Sequence, residues 1–208
     1  MTRLNKEKIA AAGLALIDEK GMSGFTIRAV AEALRASPMA LYYHVKDKAD
    51  LARLVVSAVN RQEPMKPPTG AWRTDLLAMA HWSRRAISRH PSVSDLHRIY
   101  PVITPEIIKM AKRWQALWRD SGLDRKAAMR AAEVSSIAIS SLVVYVSSFQ
   151  QSKPPRLKRP RGQPAALGGN TEALYELAFA SIIDGIHSIL SADRPEPSAP
   201  RKSRRPKR

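Results

Sequence analysis

Residues 25–48 read FTIRAVAEALRASPMALYYHVKDK, and this stretch decides the fold. Its first part carries Ile27, Val30, Ala31 and Leu34 at the spacing of one face of a helix. Thr26 stands just ahead of them, where a hydroxyl can accept from an unpaired helix-start N–H. Arg35, Ala36 and Ser37 then interrupt the pattern. Ser37 followed by Pro38 is a second helix start: serine supplies the cap oxygen, and proline at the first helical position has no N–H to leave unpaired. The helix it opens is predicted over residues 38–44. Leu41 and Val45, four apart, anchor its inner face, which leaves Pro38, Met39, Ala40, Tyr42, Tyr43 and His44 free to face outward. Two short helices joined by three residues predict a helix-turn-helix.

Working outward, residues 5–20 form a supporting helix with Ile9, Ala12, Gly13, Leu16 and Ile17 on its inner stripe. Gly21 is its expected stop, because glycine enters the left-handed conformation at little cost. A further helix opens at Asp47, with Leu51, Leu54, Val55, Ala58 and Val59 facing inward. Pro64, Pro67, Pro68 and Gly70 then break the pattern, so a head over residues 1–62 is expected to precede a body over 70–190. The body predicts helices at residues 72–89, 105–120, 125–150 and 171–190, with a short helix and a loop within 92–104. Residues 153–170 read as a long mobile loop and 191–208 as a disordered basic tail. No segment shows sustained alternation. The fold class is all-α: a three-helix helix-turn-helix head on a helical body.

The chain of 208 residues is 44% hydrophobic and 25% charged, an ordinary globular balance. Its net charge of +17 favours polyanionic partners. That charge is spread: residues 1–60 hold nine Lys and Arg against six Asp and Glu, while residues 191–208 hold seven against two. With no cysteine, disulfides, thiolate metal sites and cysteine nucleophiles are excluded. His81, His90, Asp95 and His97 cluster in sequence without a metal-ligand spacing, and no nucleophile–base pair or glycine-rich phosphate loop is present. Neither an enzyme, nor a metal, nor a cofactor is expected. The first residues lead into a charged amphipathic segment rather than a signal peptide, and the apolar run at 137–146 is too short to span a bilayer, so a cytoplasmic protein is expected.

The Phe25–Leu34 segment and the Ser37–Leu51 segment, above all Leu41-Tyr42-Tyr43-His44-Val45-Lys46-Asp47-Lys48, resemble the DNA-binding region of the tetracycline-repressor (TetR) family. Beyond residue 60 the resemblance lies in the helical layout and in a body that starts near Trp72. The resemblance implies that Arg28 contacts a base edge, that Met39 and Ala40 read bases, and that Thr26, Tyr42, Tyr43, His44 and Lys48 touch phosphate or base, with Pro38 at the head of the same helix. Plainer roles stay open at this point: Thr26 as a cap alone, Arg28 as a solvated arginine, either tyrosine as a core aromatic. Arg35 departs from the pattern, since the family has glycine in that turn. A left-handed residue there costs about 1–2 kcal/mol when it carries a side chain, unless the turn differs or a phosphate contact compensates.

The resemblance further implies a homodimer paired through the helices at 125–150 and 171–190, a palindromic double-stranded DNA operator, and a small-molecule effector that releases a repressor from it. Met79, Trp82, Tyr100, Met110, Trp114, Trp118 and Tyr145 are the candidate pocket residues, with core packing open to each. The competing function is an architectural nucleic-acid binder that uses the +17 charge without reading sequence.

Overall fold

The structure, a computed structural model, describes residues 4–151 and 171–193. The basic segments expected at 153–161 and 194–208 lie outside those residues. Among the described residues there is no strand, and nine helices follow in order: α1 (Lys6–Gly24), α2 (Ile27–Ala33), α3 (Pro38–Tyr42), α4 (Lys48–Gln62), α5 (Trp72–Arg89), α6 (Val93–Ile99), α7 (Pro105–Asp120), α8 (Arg125–Gln151) and α9 (Thr171–Ala192).

Side-chain caps set most of the helix starts in the head. Asn5 accepts from the Lys8 amide at 2.9 Å, Thr26 from Ala29 at 3.0 Å, Ser37 from Ala40 at 3.2 Å and Asp47 from Asp50 at 2.7 Å. Each such cap is worth about 1 kcal/mol. Gly21 is a kink rather than the end of α1: it takes φ 61°, and the helix resumes as far as Gly24. The helix also outlasts the expected tail boundary at the other end, because α9 continues to Ala192.

The head core forms where α1 crosses α4, with α2 and α3 closing one side. Phe25, Ile9, Ile17, Val30, Leu41 and Leu51 are fully buried in it. Gly13 lets the two long helices meet: a Cβ there would lie 2.9 Å from Val55 Cγ2 and 3.4 Å from the Phe25 ring. The segment at 92–104 resolves into α6 and an extended stretch. Although α6 follows the linker in sequence, Val93, Leu96 and Val102 complete the head core, and α6 packs on α1 and α4.

The body core joins α5, α7, α8 and α9. Trp118 is fully buried there, and its indole N–H donates to Ser135 Oγ at 2.9 Å. Ser135 Oγ also accepts from Trp114 Nε1 at 3.1 Å, so one small hydroxyl satisfies two large donors.

Asp75 anchors the linker. Its carboxylate, buried at the start of α5, accepts from the Thr69 amide and hydroxyl and from the Gly70 amide. Burial pushes this carboxyl up, but the hydrogen bonds from Thr69 and Gly70, together with the Arg113 charge, hold it below the ordinary range. A depressed folded-state pKa contributes stability that is present above the unfolded value and lost as the pH falls through the folded one. Asp75→Asn is therefore expected to weaken the protein at neutral pH and to flatten its acid-induced loss of stability below about pH 4, checked by urea denaturation across that range.

Candidate nucleic-acid interface and internal cavity

The turn between α2 and α3 decides how α3 stands on the surface. The Ala36 amide donates to Ala31 O at 2.9 Å and the Arg35 amide to Glu32 O at 3.0 Å, the paired bonds of a Schellman stop. Such a stop needs a left-handed residue, and Arg35 supplies it at φ 51°, the one positive-φ residue other than glycine among the described residues. The turn thus keeps the glycine-type geometry despite the arginine, and its guanidinium is left exposed.

From that turn α3 runs only to Tyr42, two residues short of the expected end. The His44 and Val45 amides both return to Leu41 O, at 2.8 and 3.0 Å, so Tyr43 and His44 form a closing turn rather than more helix. Leu41 and Val45 are buried. On the opposite side Met39 is 66%, Tyr42 51% and Tyr43 85% exposed, so neither tyrosine is a core aromatic. Pro38 is exposed, while Ala40 and His44 are half-buried. Arg28 lies exposed on α2. Among the described residues the side chains of Arg28, Arg35, Tyr42 and Tyr43 form no hydrogen bond or ion pair. Thr26 spends one oxygen lone pair on its cap. Lys48 opens α4 with its ammonium 5.8 Å from the Phe25 ring centroid. Cations, aromatic rims and helix starts are the groups that grip phosphate and base edges.

Behind the head, α4 is tied to α7. Glu106 accepts from Ser57 Oγ and from Arg61 Nη1, each at 2.8 Å. Burial raises the Glu106 carboxyl, and these bonds more than offset it, holding it below the usual range. His90, at the end of α5, bridges Asp18 of α1 at 2.7 Å and Gln62 of α4 at 3.0 Å. Glu63 pairs with Arg85 and Arg89. Among the described residues no group of three or more His, Asp or Glu is placed to hold a metal ion.

A cavity of about 460 Å³ opens between α5, α7 and α8. Of the candidate pocket residues, Met79, Met110 and Trp114 line it. The other four do not, each for a visible reason. Trp82 donates its indole N–H to Glu63 O at 2.7 Å beside the linker. Tyr100 packs against the head core. Trp118 is held on Ser135, with its ring tilted 38° to that of Trp72 at 5.9 Å between centroids. Tyr145 is 58% exposed on α8. The sequence reading missed the polar part of the wall, namely Ser83, Gln115, Glu133, Ser136 and Ser140. A signal for it existed: Met129, Glu133, Ser136 and Ser140 recur at i, i+4, i+7 and i+11 along one face of α8.

The outer faces of α8 and α9 are apolar. Val134, Ile137 and Val144 on the first, with Leu174, Leu177 and Ile189 on the second, are exposed, and Gly185 leaves open space. By length and composition alone, residues 125–147 and 171–192 are long and apolar enough to cross a membrane. Their inner faces, however, build the body core, and Asp184 of α9 forms a bidentate pair with Arg73 at 2.5–2.6 Å.

The comparisons agree with this geometry. Residues 9–55 match the family described as "Bacterial regulatory proteins, tetR family", and residues 63–190 match "Tetracyclin repressor-like, C-terminal domain". An HTH-type transcriptional regulator of Saccharopolyspora erythraea is 29% identical over 141 residues, 67% of this chain and 60% of that protein. The class D tetracycline repressor protein of Escherichia coli is 35% identical over 100 residues, 47% of this chain and 46% of that one. The chain thus spans between about half and three-fifths of these relatives' lengths. In structure, Streptomyces coelicolor ActR in complex with actinorhodin aligns with a TM-score of 0.73 at 20% identity, covering 91% of this chain and 98% of ActR. On the strength of the two family matches and the fold, the chain belongs to the tetR family of bacterial regulatory proteins.

Proposed function

We propose that this protein is a sequence-specific DNA-binding transcriptional regulator, a repressor and not an enzyme, acting in the cytoplasm as a homodimer released from its operator by a small molecule. One observation carries the reading. The helix α3 presents Met39, Tyr42 and Tyr43 to solvent from a buried Leu41–Val45 anchor, with Arg28 and Arg35, unpaired among the described residues, on the helix and turn before it. Such a surface gains nothing from the other described residues, and its shape is that of a helix set into a major groove.

In this reading residues 1–62 form the DNA-binding unit and 70–190 the ligand-binding and dimerisation unit. Arg28 grips a guanine edge, and Met39 and Ala40 meet base edges or a thymine methyl. Thr26, Pro38, Tyr42, Tyr43, His44 and Lys48 line the backbone contact, and Arg35 adds a phosphate contact that offsets its left-handed strain. The apolar outer faces of α8 and α9 are covered by the same helices of a second copy, which sets two α3 helices on one side of the dimer.

The cavity couples to the head through α7. Ile107 lines the cavity, and its neighbour Glu106 holds Ser57 and Arg61 of α4. A ligand that shifts the start of α7 therefore moves α4, and with it the spacing of the two heads. Footprinting on the protein's own upstream DNA tests the reading. A discrete protected segment with two-fold symmetry, bound by two chains with half-sites about 34–36 Å apart, is expected. Uniform protection along the DNA, or a single chain per site, contradicts it.

A further inference from the structure

The cavity is more selective than its apolar lining suggests, because its charge is one-sided. Among the described residues Glu133 is the one acidic residue on its wall, and no lysine, arginine or histidine lines it. The Glu133 carboxylate has no hydrogen-bond or ion-pair partner among the described residues. Two arginines of the flanking helices do not answer it. Arg113, on α7, turns away to donate to Lys66 O at 2.7 Å, and Arg130, one helical turn before Glu133, is exposed and lies outside the lining.

The rest of the wall fits the same occupant. Trp114 has its indole N–H spent on Ala132 O and Ser135 Oγ, each at 3.1 Å, which fixes the ring and leaves it no donor to offer a ligand. What remains to contact a ligand is the π-surface, which attracts a cation and stacks with a flat ring. Met79, Met110 and Met129 add polarizable, adaptable contacts. The volume of about 460 Å³ lies within the ~300–1,000 Å³ of sites that hold drug-sized molecules.

We propose that the cavity takes an organic cation: a flat or compact apolar body carrying a positively charged nitrogen, set with that nitrogen against Glu133 and its rings along Trp114. The proposal rests on the ligand-responsive reading above and names the ligand's chemical class. An anionic ligand finds no countercharge in this wall and is repelled by Glu133. A neutral one loses the charge-assisted contact but keeps the apolar burial.

The test uses the full chain without DNA and three probes of one shape: N-methylacridinium, acridine (uncharged at neutral pH) and acridine-9-carboxylate, followed by calorimetry. The wild type is expected to bind the cation up to about fivefold more tightly than acridine, as an exposed ion pair is worth, and the carboxylate most weakly. Glu133→Gln, at an exposed position that does not threaten folding, is expected to bring the cation down to the affinity of acridine and to leave acridine itself unchanged. Ala111→Trp, which puts an indole into the cavity, is expected to remove both. Equal affinities in the wild type, no binding of any probe, a cation preference that survives Glu133→Gln, or binding that survives Ala111→Trp would each overturn the proposal. A separate measurement of operator binding with N-methylacridinium present keeps the two readings apart: a chain that binds the cation as described yet keeps its grip on the operator overturns the ligand-responsive reading alone.

Discussion

Phe25→Ala is expected to melt the head while leaving most of the body folded. The ring is fully buried at the crossing of α1 and α4, against Gly13 and under Lys48. Removing it costs about 3–5 kcal/mol, because the helices around it cannot all collapse into the space. Against a typical total of about 5–15 kcal/mol, a unit with a core of its own loses much of its margin. The four tryptophans, Trp72, Trp82, Trp114 and Trp118, all lie after the linker, so indole fluorescence reports mainly the body, Trp82 alone being tied to the end of α4 through Glu63 O. Circular dichroism reports both parts. The variant should show an early loss of helix at low denaturant with a fluorescence midpoint that moves little. Coincident transitions, shifted together, would mean that head and body unfold as one unit and that α6 binds them more strongly than the separate cores imply.

Arg28→Ala combined with Tyr42→Ala is expected to leave stability unchanged and to cripple operator binding. Both side chains are exposed and unpartnered among the described residues, so nothing in the fold depends on them. A bidentate arginine–guanine contact is worth about 1–3 kcal/mol of discrimination, roughly tenfold to a hundredfold in affinity, and the lost tyrosine contact adds to it. Binding to randomised DNA should fall far less, because it depends on charge spread over the whole chain. An architectural binder predicts the opposite pattern: loss on removing the basic residues 191–208, and indifference to the double substitution.

The sequence was most legible where a local rule decides the outcome. Thr26, Ser37 and Asp47 are caps by chemistry, and all three cap in the structure. Ser37-Pro38 marks a helix start that no neighbour overrides, and Leu41 and Val45 are buried as their spacing requires. Arg35 is instructive, because its misfit was visible from the family resemblance, which has glycine in that turn, and its φ of 51° shows the backbone holding the turn against the residue's preference.

Legibility ended where two destinations share one residue type. Tryptophan is apolar whether it lines a cavity or fills a core. What separates Trp114 from Trp82 and Trp118 is where each ring is held: Trp82 by a carbonyl at the linker, Trp118 deeper between Trp72 and Ser135. The short helix α6 was ambiguous for the same reason. Seven residues with few apolar positions form a stable helix only because Val93 and Leu96 find the head core, a partner distant in sequence. Glu133 was passed over because a lone glutamate on a helix reads as solvated surface until the cavity beside it is seen.

The most direct test of the central claim, that α3 and its supports read a DNA sequence, is the ratio of affinities for the upstream operator and for randomised DNA of equal length at physiological salt. A ratio of about a thousandfold or more, falling steeply in the Arg28→Ala, Tyr42→Ala variant, is what this account predicts. A ratio near one in the wild type would contradict it.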